Sequence, residues 1–270
     1  MIIDFHTHVF PDKIAEKTVA FLAEKGEVKP YLNGSRQALV DSMKLSGTDI
    51  SVVLPVVTKP SQFESVNRYA AGINGRDGLI SFGGIHPDCG DIEEKLDFIK
   101  SSGLRGVKLH PDYQDTYADD EKYIRLVRHC RKIGLITVFH SGLDTGYKDH
   151  VHCTPDMVLR LMEASAPADG DHPDYALVLA HAGAAAFWDE VESELCGRGW
   201  YFDISFIFDY IDSDQLVRII RGNRADHILY GTDSPWADQK DYIAKVDSLP
   251  LSDEEKRMIF SGNAEKLLKL

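Results

Sequence analysis

What is scarce in this chain narrows it first. Positive charge is in deficit: 30 Lys and Arg stand against 43 Asp and Glu among 270 residues, a formal net charge of −13. Nucleic acids and anionic membranes recruit basic faces, so neither is an expected partner. Cysteine is sparse. Cys89, Cys130, Cys153 and Cys196 are widely spaced and form no C-x-x-C. That spacing argues against a cysteine-held zinc cluster and reads as free thiols in a reducing compartment, so the expected location is cytoplasmic. No apolar run approaches the ~20 residues of a membrane span. The stretch from Ile50 to Val57 is strand-sized, and Ser51 and Pro55 interrupt it. No basic stretch precedes an apolar one at the start, so no signal peptide is expected. Low-complexity tracts, linkers and short-period repeats are also missing.

What is present is an alternation. Hydrophobic residues make up 43% of the chain, enough for a substantial core. Eight short apolar runs read as strands: Ile2 to Phe5 with the histidines that follow, Ile50 to Leu54, Leu79 to Ile85, Leu104 to Leu109, Leu135 to Phe139, Ala176 to Ala180, Trp200 to Ile204 and His227 to Tyr230. Helical patterns follow them over Ser35 to Leu45, Gln62 to Asn74, Ile92 to Ser101, Asp120 to Ile133, Pro155 to Glu163, Ala184 to Leu195 and Gln215 to Arg221. Lys240 to Val246 and Asp253 to Leu268 close the chain. Strand–helix alternation implies a parallel sheet, and eight units in ~250 residues suit a closed (β/α)8 TIM barrel, α/β in class. The rival is a doubly wound open sheet, but the first βα turn has no Gly-rich phosphate loop. The prediction is one domain over 1–270. Residues 9–34 form an insertion too long for an ordinary βα turn, with a small helix over Asp12 to Lys25 that Asp12 would cap.

The ionisable residues gather at strand ends. His6 and His8 end the first strand and, two apart, point the same way. Two adjacent imidazoles are half of a metal site. Asp4 falls on the same alternation; it can orient a ligand imidazole or serve structure, and structure is the preferred reading. Lys108 and His110 end the fourth strand, His140 the fifth and His181 the sixth. Asp233 lies just past the eighth. In a barrel all these ends open on one face, and closure sets the eighth strand beside the first, bringing Asp233 to His6 and His8. Three or four N/O ligands with one open position activate water, and a nearby His or Asp moves the protons. His/Asp donors suit a divalent metal: zinc first, with Mn, Fe or Co as alternatives.

Several pieces, in order, carry a family resemblance: DFHTHVFP, GVKLHP, TVFHSG, LAHAG, GTDSPW and SGNAEKLL. The chain resembles the amidohydrolase superfamily of metal-dependent TIM-barrel enzymes, in the branch that includes aminocarboxymuconate-semialdehyde decarboxylase. The resemblance implies His6, His8, His140 and Asp233 as metal ligands, with Asp233 also handling a proton. It implies His181 as the catalytic acid/base of mononuclear relatives, or a second-metal ligand in binuclear ones. Lys108 matches the lysine that bridges two metals when carboxylated; otherwise it meets a substrate carboxylate or carbonyl, and His110 follows on the same face.

Bland roles are assigned elsewhere. His86 sits in a His-Pro turn. His129, His172 and His227 read as peripheral, and Tyr147, Lys148, His150 and His152 as a solvated loop over the mouth. Phe10, the 9–34 segment and Trp236 are candidate pocket walls. The expected function is a metal-dependent hydrolase turning a metal-activated water on a small amide, lactone or ester. The alternative is non-oxidative decarboxylation of a small unsaturated or aromatic acid. The second alternative, from a different class, is a non-catalytic metal-containing barrel that binds a ligand. The expected partner is a small-molecule substrate. Oligomeric state has no sequence signal, and an isologous homodimer is only the commonest arrangement.

Overall fold

The computed structural model describes residues 1–270. Eight parallel strand positions form a closed barrel. β1 is Ile3–Thr7, β2 is Ile50–Val53, and β3 is split into Leu79–Ser81 and Gly83–Gly84 about Phe82. β4 is Gly106–Leu109, β5 Ile136–Phe139, β6 Leu177–Leu179, β7 Tyr201–Asp203 and β8 Ile228–Leu229. Each pairs with its neighbours in sequence order. The break in β3 does not open the ring, because Phe82 N donates to Val53 O. Phe5 N donates to Tyr230 O, Asp233 N to His6 O and His8 N to Ser234 O, so β8 returns to β1 and the sheet has no free edge.

The helices follow for local reasons. α1 (Ala15–Gly26) belongs to the 9–34 segment. Asp12 is not its cap; Ile14 occupies that position and makes no side-chain cap. α2 (Arg36–Ser46) starts where Ser35 accepts Ala38 N and stops at Gly47, which has φ 78°. A left-handed residue there closes the helix end at little cost for glycine. α3 is Phe63–Ile73 and α4 Ile92–Ser101. α5 (Glu121–Ile133) is capped by Asp120 and stopped by Gly134. α6 is Pro155–Ala164 and α8 Ser213–Gly222. The sequence places a helix from Ala184, yet α7 begins only at Trp188, runs to Glu190 and widens into a π turn over Val191–Leu195. Ala182 and Ala186 have left-handed backbones, which delays it. α9 is Gln239–Asp247. The last predicted helix is α10 (Asp253–Arg257) and α11 (Asn263–Leu268), joined by a π segment.

Alternation along the strands divides two cores. Phe5, Val52, Phe82, Val138, Val178, Tyr201 and Leu229 fill the barrel, while Val107, Leu109, Phe139 and Phe202 face the helices. β1 breaks its own alternation. Its register against β2 shifts between Asp4 and Thr7. Asp4 therefore points outward to Thr232, Gln239 and, through that glutamine, Ser51. After the irregularity His6 and His8 turn to the site. The expectation that Asp4 shares their face is corrected: an inserted residue re-aims the side chains that follow it. No helix is long and apolar enough to cross a membrane.

Candidate metal centre and its cavity

Three side chains converge where β1 meets β8. His6 Nε2 is 3.2 Å from His8 Nε2, and Asp233 Oδ1 is 3.4 Å from the first and 2.9 Å from the second. Their other ring atoms decide what these nitrogens are. His8 Nδ1 lies 2.8 Å from Leu54 O, which only accepts, so Nδ1 carries the proton. His6 Nδ1 lies 2.9 Å from the Asp203 carboxylate and is protonated for the same reason. Both Nε2 atoms are thus lone pairs, facing each other and a carboxylate oxygen. Lys108 Nζ reaches His6 Nε2, at 3.1 Å, but His8 Nε2 and Asp233 Oδ1 still face each other as two acceptors 2.9 Å apart, which repel unless a cation or proton lies between them. Donor type, spacing and charge fit a divalent cation held by His6, His8 and Asp233.

The buried charge around this cradle is consistent with that. Burial, aided by Lys108, drives His6 down to about 4, against the pull of Asp203 and Asp233, so its ring is neutral. Burial raises Asp233, but His6, the His8 hydrogen bond and His181 outweigh it and hold the carboxyl below its ordinary value. Asp203 is held low by the same balance of burial against His6 and its other neighbours. Lys108 is fully buried, with Nζ 3.1 Å from His6 Nε2. Burial lowers it to about 8 despite Asp203, Asp233 and Asp144.

His140 and His181 form a second pair. His140 Nδ1 is 3.0 Å from His181 Nε2, while His181 Nδ1 is 3.0 Å from Ser205 O. The carbonyl only accepts, so His181 carries its proton on Nδ1 and His140 donates to its Nε2. The nitrogens of His140 do not join the three-residue group; its Nε2 instead faces Asp144 and Asp112. His110 lies flat on His140, ring centroids 4.0 Å apart at 8°. Backbone geometry singles out two of these residues: His181 has φ 60° and Asp233 φ 64°. Left-handed backbone is uncommon outside glycine and tends to collect at functional sites.

Above them lies a cavity of about 300 Å³. His140, His181, Asp144 and Asp233 supply its polar side; Tyr113, Trp188, Phe206, Tyr210 and Trp236 supply flat apolar walls. Trp188 Nε1 also donates to His181 O, tying that wall to the β6 end. Of the 9–34 segment, Leu22, Lys25, Gly26 and Val28 reach the cavity, but Phe10 does not. Lys108 and His110 lie outside the lining as well. In the loop after β5, Lys148 pairs with Glu27 and Lys25 sits over the Tyr147 ring at 3.3 Å, holding α1 across the mouth. His152 is not solvated: its Nδ1 is 2.9 Å from Asp112.

Three residues escape sequence reasoning. Asp203 receives His6 through Oδ2, and through Oδ1 accepts the backbone N–H groups of His181 and Ser205 and the Ser205 hydroxyl. Ser205 Oγ is in turn 2.9 Å from His6 Nδ1. A signal existed: Asp203 and Ser205 are two apart at a strand end, the spacing that exposes His6 and His8. Asp144, four residues past His140, is the third.

Fold and cradle define a (β/α)8 barrel enzyme with a metal-type centre at the C-terminal end of its strands. More particularly, the chain belongs to the amidohydrolase family, whose model matches residues 3–270. No curated protein matches it. Similar solved structures include 2,6-dihydroxybenzoate decarboxylase from Rhizobium, at 18% identity and TM-score 0.70, covering 99% of this chain and 98% of that one. The 5-carboxyvanillate decarboxylase of Sphingomonas paucimobilis is similar at 15% identity and TM-score 0.70, with 100% and 99% coverage. A dihydroxybenzoic acid decarboxylase from Polaromonas, with bound manganese and 2-nitroresorcinol, is similar at 16% identity and TM-score 0.69, with 100% and 97% coverage.

Proposed function

We propose that this enzyme is a metal-dependent, non-oxidative decarboxylase of a small aromatic or unsaturated carboxylic acid. One observation carries the reading: a cradle of His6, His8 and Asp233, in which His8 Nε2 and Asp233 Oδ1 face each other as acceptors, meets through Asp233 a small cavity faced by aromatic rings. The names of the similar structures support decarboxylation over the hydrolysis expected from sequence. Hydrolysis of an amide, lactone or ester is the second reading, favoured by the description of the family itself.

In this reading His6, His8 and Asp233 would hold the cation. Such a cation would supply Lewis acidity for a substrate oxygen and for the negative charge that develops as carbon dioxide leaves. Manganese and zinc both suit the donors. Asp203 and Ser205 fix the His6 tautomer, so its lone pair faces the cradle. Trp188, Phe206 and Trp236 hold a planar ring and exclude water from its faces. His181 is the acid/base: its Nε2, at the cavity wall beside His140 Nδ1, can take a proton from the substrate acid or from solvent and return it to the carbon that loses its carboxylate, while His140 keeps its own proton and holds the ring. Asp233, which is both donor and wall, is the second proton-handling group. His140 is proposed to serve that pair, and would be a further donor to the cation only if its ring were turned. Lys108, set against His6, tunes the charge of the cradle instead of meeting substrate.

The test is metal content together with product analysis. The enzyme should hold a divalent metal and release carbon dioxide from hydroxybenzoates. His181→Asn should keep the metal and lose ~10²-fold or more of kcat, the usual scale of general acid–base catalysis. Loss of metal in that variant would make His181 a ligand. Turnover of lactones or amides without carbon dioxide release would replace this reading with hydrolysis.

A further inference from the structure

Besides the cradle, His110, His140 and Asp144 form a buried group whose donor atoms lie within 4.8 Å of one another. A second metal ion is the first thing to ask of it, and ring geometry argues against that. The His110 and His140 rings are nearly parallel, 8° apart, with centroids 4.0 Å apart. A metal bound through an imidazole nitrogen lies in the plane of that ring. One ion cannot lie in two parallel planes separated by a stacking distance.

Its hydrogen bonds say what the group lacks. Asp144 Oδ1 accepts Gly146 N–H at 2.7 Å, which holds the carboxylate still. Its Oδ2 makes no close hydrogen bond: His110 Nε2, which carries that ring's proton because His110 Nδ1 accepts Tyr113 N–H, stands off at 3.5 Å, and His140 Nε2 at 3.7 Å. His140 donates through Nδ1 to His181, so its Nε2 is a lone pair, and it has no partner. Asp112 Oδ2, 4.0 Å from that nitrogen, is also unpartnered, although Asp112 Oδ1 takes both His152 N–H and His152 Nδ1. Unpaired buried acceptors are costly, about 1–3 kcal/mol each. His140 Nε2 and Asp112 Oδ2 are themselves sealed from the cavity, whereas Asp144, 9% exposed, opens on it. The loop after β5 carries Asp144, on the far side of the ring from the seam of β1 and β8.

We propose that Asp144 is a specificity-determining residue: it accepts a hydrogen bond from an O–H or N–H group on the substrate ring, at a position remote from the metal-bound end. The inference deepens the decarboxylase reading and rests on it for the identity of the substrate as an aromatic acid. A site built to hydrogen-bond a donor rejects the analogue lacking it, because the acceptor is then left unpaired. An O-methylated ring puts an acceptor or a methyl group against a carboxylate and is penalised.

The experiment measures binding of non-reacting ring ligands to the metal-loaded enzyme, read by quenching of Trp188 and Trp236 and checked by calorimetry. The ligands are resorcinol, 1,3-phenylenediamine and 1,3-dimethoxybenzene. Wild type should favour a donor-bearing ring over the dimethyl ether by at least tenfold; resorcinol and the diamine tell O–H from N–H. Asp144→Asn keeps the shape and can still accept Gly146 N–H through its amide oxygen while presenting NH₂ to the cavity. It should erase or reverse the preference, and Asp144→Ser serves if the first variant does not fold. An unchanged preference ratio in the variant overturns the proposal. So do two metal ions per chain in wild type falling to one in the variant. If the preference behaves as expected and no carbon dioxide is released from any acid, the decarboxylase reading fails while the Asp144 subsite stands.

Discussion

Asp203 shows how much one buried carboxylate can govern. Its two oxygens accept four groups: the His6 ring, the His181 and Ser205 N–H groups and the Ser205 hydroxyl. The hydrogen bond to His6 Nδ1 is the one that fixes which nitrogen faces the cradle. Asp203→Asn keeps volume and one oxygen but turns an NH₂ toward His6 Nδ1. That ring must then accept there and carry its proton on Nε2, where it cannot bind a cation. Outer partners of metal-bound histidines commonly contribute 10–100-fold in affinity. Chelator competition should show the dissociation constant of the variant rising by about that factor, with circular dichroism unchanged. Unaltered affinity would show that Ser205 Oγ, also 2.9 Å from Nδ1, sets the tautomer alone. His8→Ala should lose the ion more completely, because it removes a donor from the cradle itself. Direct metal analysis of the purified variant tells the two effects apart.

At the scale of elements, the loops beyond β5 and β6 hold the cavity in shape, and Gly142 is where they touch. Its φ is 83°, and a Cβ there would stand 2.1 Å from Ala185 N and 2.2 Å from Ala185 O. Leu143 N donates to Ala185 O and Ala185 N to Ser141 O across the same contact. Gly47 has a similar φ, 78°, but its added Cβ would meet nothing within 4 Å. Gly47→Ala should therefore cost only the left-handed penalty, about 1 kcal/mol. Gly142→Ala should cost about 3 kcal/mol or more, because backbone must move as well. Urea midpoints at constant slope measure both, and equal losses would remove the argument from close approach. Such contacts explain what a reader of the sequence could and could not see. Apolar runs bounded by turns give every strand, and Ser35, Asp120, Gly47 and Gly134 mark helix ends by local chemistry. The irregularity that turns Asp4 away from His6 and His8 has no local signature, since it arises from pairing with β2. The late start of α7 likewise follows from left-handed Ala182 and Ala186, which helix propensity does not anticipate. His6, His8 and Asp233 were findable because barrel closure follows from the count of strands. The turn of His140 toward His181 depends on ring orientation, which spacing does not encode.

For the molecule as a whole, the cradle lies on the seam that closes the barrel. β1 supplies His6 and His8 and the end of β8 supplies Asp233, more than two hundred residues away in sequence. Backbone hydrogen bonds already cross there, from Phe5 N to Tyr230 O and from Asp233 N to His6 O. A cation in the cradle adds a second closure, made through side chains, and relieves the repulsion between His8 Nε2 and Asp233 Oδ1. Binding only the folded chain, it stabilises that chain by mass action, about 4 kcal/mol when free metal is a thousandfold above its dissociation constant. For a chain of this size each kcal/mol moves Tm by roughly 2–4 °C, so chelation should lower Tm on the order of 10 °C, and adding metal back should restore it. Hydrogen exchange should speed up most in β1 and β8, while β4 and β5 on the opposite side of the ring change least. In His8→Ala the chelator should have almost no effect, because the closure is already lost. If metal analysis shows the ion removed from wild type and both Tm and exchange at the seam stay where they were, the cation bears on catalysis alone and the backbone bonds close the barrel unaided.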